Sequence, residues 1–119
     1  MISKINRGDI FLASYHFPHE DRVVTRQRPV LVLQCDEDNE NPHYPLVIVA
    51  PITTKKIERI YEQDVFLPEG EGRLDEDSKV LLGALQAVTK NSLVKKIGSI
   101  SQQTVEIINL KLLRLFGFL

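Results

Sequence analysis

Arg28-Pro29-Val30-Leu31-Val32-Leu33-Gln34 and Val47-Ile48-Val49-Ala50-Pro51-Ile52-Thr53-Thr54 are the stretches on which the reading of this chain turns. Both are rich in β-branched and long aliphatic residues and read as buried strands. Each carries polar groups at one end: Arg28 at the entrance of the first, Thr53 and Thr54 at the close of the second. A cation and hydroxyls at the ends of two buried strands offer a site for an anionic substrate.

Working outward, residues 9–15 read as a first strand after an Arg7-Gly8 turn signal. A polar loop then holds His16, His19, Glu20, Asp21, Arg22 and Arg26. The second strand extends to about Cys35, and residues 36–42 have plain turn composition. Pro51 predicts a bulge or a sheet edge near the end of the third strand. Residues 64–67, 80–82 and 85–88 read as further short strands, and the glycine-containing acidic segment 69–77 as a mobile loop. Asn91 reads as the cap of a helical turn over residues 92–97 that stops at Gly98.

Ser101 is a good N-cap for a final helix, in which Val105, Ile108, Leu112, Leu115 and Phe116 recur at helical period. Ile107, Leu110 and Leu113 widen this stripe, so the helix should be covered on more than one side, by the core or by another subunit. Strands followed by a helix, without βαβ alternation, predict a mainly β (α+β) fold: a compact antiparallel sheet or small barrel. With no repeat or linker, residues 1–119 read as one domain.

The apolar fraction of 43% with 26% charged residues argues against broad disorder. A formal charge of −1 excludes blanket basicity, so any nucleic-acid contact requires a local patch. Arg22, Arg26 and Arg28 form one cluster, and Lys55, Lys56 and Arg59 another. Such groups suit a single-stranded backbone, although a solvated basic loop is the simpler reading. Cys35 is the only cysteine, which excludes an intramolecular disulfide, and it reads as a small buried hydrophobe at a strand end. No run approaches ~18 apolar residues, and the N-terminus lacks a signal-peptide layout, so a cytoplasmic location is expected.

Arg28 offers a fixed fork of donors to a phosphate and stays charged at any working pH. Thr53 offers a hydroxyl. On composition alone, a salt bridge for Arg28 and a backbone-bonded hydroxyl for Thr53 are the simpler roles. His16 and His19 are the loop's candidate general bases; His43, between Pro42 and Tyr44, has no feature in its favour. Asp36, Asp38 and Glu40 lack the glycine and closing glutamate of a calcium loop, and no zinc spacing is present. No metal and no cofactor are expected.

Arg7-Gly8-Asp9-Ile10, the Arg28–Gln34 and Val47–Thr53 runs and Asp77-Ser78, in this order, resemble the PemK/MazF family of toxin–antitoxin ribonucleases. The resemblance implies a small SH3-like β-barrel with a C-terminal helix, a homodimer, and a cognate antitoxin as partner. It also implies metal-independent cleavage of single-stranded RNA: the 2′-hydroxyl attacks the adjacent phosphate, leaving a cyclic phosphate and a 5′-hydroxyl. The family's catalytic arginine falls on Arg28 and its strand-end hydroxyl on Thr53, with His19, Glu20 and Thr54 as auxiliaries and Arg22, Arg26, Lys55 and Lys56 toward RNA. Many members carry an acidic residue, a glutamine and a basic residue where this chain reads Leu82-Gly83-Ala84-Leu85-Gln86-Ala87. The loop before Arg28 is also longer than usual. A non-enzymatic or catalytically decayed toxin, acting by binding its antitoxin or a gyrase-like protein target, therefore stands as the alternative.

Overall fold

The two apolar runs form adjacent strands at the centre of one sheet. A computed structural model of the chain describes residues 4–14 and 27–119. Among these residues the strands are β1 (Asp9–Ser14), β2 (Gln27–Val32), β3 (Leu46–Thr53), β4 (Asp64–Leu67), β5 (Ser78–Leu81), β6 (Gln86–Thr89) and β7 (Leu93–Ser99). A short helix α1 (Asp36–Glu40) follows β2, and α2 (Gln102–Leu115) follows β7. Every ladder is antiparallel; the order is β4-β5-β3-β2-β1-β7, with β6 also paired to β3.

β3 has three partners. One side pairs with β2, while the other pairs with β6 over Leu46–Val49 and with β5 over Ile52 and Thr53. Pro51 falls where the partner changes. The Leu33 N–H donates to the Ile48 carbonyl at 2.9 Å, so by alternation Val30 and Pro51 form a non-hydrogen-bonded pair. The donor that proline lacks would point away from β2, into the interval between β6 and β5. Pro51 thus lies fully buried in mid-sheet, in place of the expected bulge or edge.

Alternation sends Leu31, Leu33, Ala50 and Ile52 to one face, with Ile10, Val65, Leu67, Val80, Leu82 and Ile108 of α2. Val30, Val32, Val47 and Val49 pack on the other face with Phe11, Ala13, Val88 and Leu93. Burial on both faces, Ile48 excepted, explains why both runs are apolar. Each fully buried side chain of this size stabilises the fold by roughly 1.5–3 kcal/mol.

No ladder joins β4 to β7, so the sheet is open where the resemblance implies a closed barrel. The gap has an occupant. A single 3-10 turn, Glu71–Arg73, lies against β7 so closely that a Cβ on Gly98 would strike the Gly72 carbonyl. Segment 69–77 is therefore anchored at several points. The Glu69 N–H donates to Asp77 Oδ1 at 2.8 Å, and Glu71 Oε2 accepts from the Ser101 N–H at 2.7 Å. Glu71 Oε1 accepts from Thr104 Oγ1 at 3.0 Å.

Three further local expectations are corrected. Residues 36–40 are helical, because buried Asn39 donates to the Gln34 carbonyl at 2.9 Å and accepts from Gln34 Nε2 at 3.1 Å. Cys35 is exposed as the residue preceding α1; Gln34 occupies the buried strand-end place instead. Residues 93–99 are strand, since pairing with β1 overrides the local helix signal, leaving only a 3-10 turn at Lys90–Ser92.

α2 begins as expected, with Ser101 accepting from the Thr104 N–H at 3.3 Å. It ends in a Schellman pattern: Phe118 N–H to the Leu113 carbonyl at 2.8 Å and Gly117 N–H to the Arg114 carbonyl at 3.0 Å, with Gly117 at φ 83°. Ile108 is buried, and Val105, Leu112 and Leu115 pack on the core. Ile107, Leu110, Leu113 and Phe116 are exposed, so the core covers one side of the helix only. No helix of the described residues is long and apolar enough to cross a membrane.

The Gly98–Gly72 contact is backbone against backbone and cannot relax by a rotamer change. Gly98→Ala is expected to destabilise the protein by about 1–3 kcal/mol through overpacking, measured as a lower urea midpoint. An unchanged midpoint would show that segment 69–77 does not hold the gap.

Candidate active site

An open cleft of ≈ 670 Å³ lies at the ends of β2 and β3. Its floor includes Leu12, Arg28, Pro29, Pro51, Ile52 and Thr53; Thr54 and Lys55 form one side, and residues 73–76 another. Arg28 and Thr53, 25 positions apart in sequence, are brought together here (53 minus 28). The register causes this. Val30 pairs with Pro51, and two more residues along each strand lead to Arg28 and Thr53 across the open end of the ladder. Arg28 is held on its other side by β1, opposite Ala13, and both residues are half-buried.

Thr53 Oγ1 accepts from the Lys55 N–H at 3.1 Å. That is the backbone-bonded role open to a strand-end hydroxyl, and it does not exhaust the group. A hydroxyl that accepts one bond still has its own proton to donate. The same bond tightens the chain as it leaves β3, which sets Thr54 and Lys55 along the cleft.

The segment beyond is fixed by a buried ion pair. Lys79, opposite Thr53 in the β3–β5 ladder, has its Nζ 3.3 Å from Asp64 Oδ2, with both side chains 6% exposed. The ammonium also donates to the carbonyls of Lys56 at 3.1 Å and Arg59 at 2.7 Å. Its three donors are thus matched, as burial of a charge requires. Asp64 Oδ2 in turn accepts from the Tyr61 N–H at 2.9 Å. Lys56 adopts φ 53° and is exposed outside the cleft lining, unlike Lys55.

Arg73, Asp75 and Glu76 also line the cleft and were not anticipated as site residues. Their only sequence signal is charge beside a glycine pair. Ser78 Oγ donates to the Glu76 carbonyl at 2.9 Å, fixing how this side enters β5. Cations at Arg28, Lys55 and Arg73 and carboxylates at Asp75 and Glu76 make a cleft of mixed charge. His19, Glu20, Arg22 and Arg26, with His16 and Asp21, lie outside the described residues. His43 is exposed in the turn before β3, at the opposite end of that strand from Thr53. Among the described residues no three His, Cys, Asp or Glu side chains gather as a metal site.

Comparison with known proteins gives this geometry a context. The chain is 30% identical over 105 residues to an endoribonuclease MazF of Staphylococcus saprophyticus, covering 88% of this chain and 85% of that protein. Its fold superposes on the Mycobacterium tuberculosis toxin MazF-mt6 with a TM-score of 0.72 at 25% identity, over 91% of this chain and 95% of that one. A mycobacterial endoribonuclease solved in complex with its cognate antitoxin superposes with a TM-score of 0.74 at 18% identity, over 95% of each chain. The family model for PemK-like, MazF-like toxins of type II toxin–antitoxin systems matches residues 6–116. With the match running from the turn before β1 to the end of α2, the chain belongs to that toxin family.

Proposed function

We propose that the chain is an endoribonuclease toxin that cuts single-stranded RNA, including messenger RNA, in the cytoplasm, with Arg28 and Thr53 as its catalytic residues. The observation that carries this reading is the convergence of these two side chains, from different strands, on one open cleft. The ribose 2′-hydroxyl loses its proton to water as its oxygen attacks the adjacent phosphorus, the bond to the 5′-oxygen breaks, that oxygen takes up a proton from water, and a cyclic phosphate and a 5′-hydroxyl result. Arg28 holds two phosphate oxygens with its fork and stabilises the charge that grows on them. Thr53 donates its hydroxyl proton to the same phosphate while its oxygen stays fixed by the Lys55 amide. Lys55 and Lys56, with Arg22 and Arg26, attract the backbone electrostatically. Thr54, His19 and Glu20 are auxiliary candidates in this scheme, and no metal takes part.

The partner reading follows from α2. Its exposed row of Ile107, Leu110, Leu113 and Phe116 is more apolar than a lone surface helix requires, which supports assembly as a homodimer. A cognate antitoxin is the other protein partner, as in the mycobacterial complex.

One observation favours a second reading. Gly83, Ala84, Leu85 and Gln86 stand where many relatives carry an acid and a base, so no ionisable side chain is present there. A toxin of this fold that acts by binding a protein target would tolerate that loss.

Two measurements decide among these. Labelled single-stranded RNA incubated with the protein in excess chelator should give discrete fragments with cyclic phosphate ends. Arg28→Ala should lower kcat/KM on the order of a hundred-fold or more, and Arg28→Lys should restore little, since a point charge lacks the fork. Thr53→Ser should keep more activity than Thr53→Val. Intact RNA with folded protein, or growth arrest that persists in Arg28→Ala, would instead favour the protein-target reading. Light scattering at micromolar concentration should give twice the chain mass, shifting toward monomer in Leu110→Glu; a monomeric parent would contradict the assembly.

A further inference from the structure

Tyr61 is 55% exposed, yet both its backbone and its ring have partners within the fold. Its N–H donates to Asp64 Oδ2 at 2.9 Å, and its carbonyl accepts from the Asp64 N–H at 2.9 Å. Lys79 Nζ lies 5.9 Å from the centre of its ring, and Arg59 Nη1 donates to its hydroxyl at 3.3 Å. The ring is a large apolar surface that is open to solvent and fixed in place. Packing within the fold does not require such a ring to be exposed.

The surroundings suit a polyanion with flat bases. Lys55, Lys56 and Arg59 lie on the same loop, and Ile60 and Phe66 are exposed nearby at 44% and 43%. The loop also carries Glu58 and Glu62, but Glu62 is drawn toward α2, 3.6 Å from Lys111 Nζ and 3.8 Å from Arg114 Nε. Two residues relate this loop to the cleft. Lys55 lines it, and Lys79, whose ammonium approaches the Tyr61 ring, pairs across the ladder with Thr53.

We propose that Tyr61 is a stacking platform for a nucleobase of single-stranded RNA flanking the bond cut in the cleft, positioned by the buried Lys79–Asp64 pair. The choice of RNA as ligand rests on the ribonuclease reading of the cleft. A fixed ring loses little freedom on binding, so stacking on it contributes nearly in full to affinity. Aromatic stacking tolerates any base, so the platform adds hold without dictating sequence. The cations beside it take the flanking phosphates, and their contribution weakens with salt.

The chain contains no tryptophan, which provides a direct test. Tyr61→Trp introduces a single indole, and its fluorescence is followed while a random-sequence 2′-O-methyl RNA pool, which lacks the attacking hydroxyl, is titrated. Saturable quenching is expected. In the same pool Tyr61→Ala should bind about 5- to 150-fold more weakly than the parent, whereas Tyr61→Phe should bind as the parent does. On cleavable RNA, Tyr61→Ala should raise KM more than it lowers kcat. An unquenched indole, or parental affinity in Tyr61→Ala, overturns the platform. If the parent binds the pool and the indole of Tyr61→Trp is quenched by it, while the parent leaves cleavable RNA intact, the platform stands and the nuclease reading falls. Equal cleavage by the parent and Tyr61→Ala removes the platform alone.

Discussion

The pairing of β3 with three strands is the constraint on which the rest of this structure depends. An eight-residue strand that serves β6 with its first half and β5 with its second must change partners in the middle. Pro51 occupies that interval, where an N–H would find neither partner. Val47 and Val49 are fully buried while Ile48 between them is exposed, so a register slip by one residue would turn buried valines outward and bring Ile48 in. The register is consequently fixed, and with it the position of Thr53 at the strand's end. Arg28 follows from the same register read along β2. Strand pairing thus places Arg28 and Thr53 on one cleft, and both are held by rigid elements.

The loops around the cleft obtain their order from buried polar groups. Lys79 and Asp64 spend several kcal/mol on desolvation and recover it by binding the carbonyls of Lys56 and Arg59 and the amide of Tyr61. Glu71 does similar work on the other flank, joining the 3-10 turn to the start of α2. Removing one partner leaves an unpaired buried charge in the first set, and the Ser101 N–H and Thr104 hydroxyl without their acceptor in the second. The resulting cleft has cations near the strand ends and carboxylates at Asp75 and Glu76.

The parts of the fold that were legible in the sequence are those governed by local pattern. The two apolar runs, Ser101 as a cap and the period from Val105 to Leu115 each specify their own element. Arg28 and Thr53 were singled out by motif order, since neither side chain alone distinguishes a site from a salt bridge, and the β2–β3 register sets both on one cleft. What was hidden depends on distant partners. Residues 93–99 become a strand because β1 offers a pairing edge, and residues 36–40 become a helix because Asn39 reaches back to Gln34. The turn that lies against β7 depends on the close approach of two glycines, Gly72 and Gly98, distant in sequence. Lys79 has no local sequence signal of its own, and its buried place follows only once β4 and β5 are paired and Asp64 comes beside it. Arg73, Asp75 and Glu76 join the site through the path of a loop that composition describes only as acidic.

The central claim is that Arg28 and Thr53 act on one phosphate at the end of the β2–β3 ladder. A crystal structure of the protein with a 2′-O-methyl RNA tests it most directly. The account predicts a phosphate held by the Arg28 guanidinium and within hydrogen-bonding distance of Thr53 Oγ1, with the preceding 2′-oxygen in line with the bond to the 5′-oxygen. RNA bound with its backbone on another face, and both side chains turned away from it, would contradict the account.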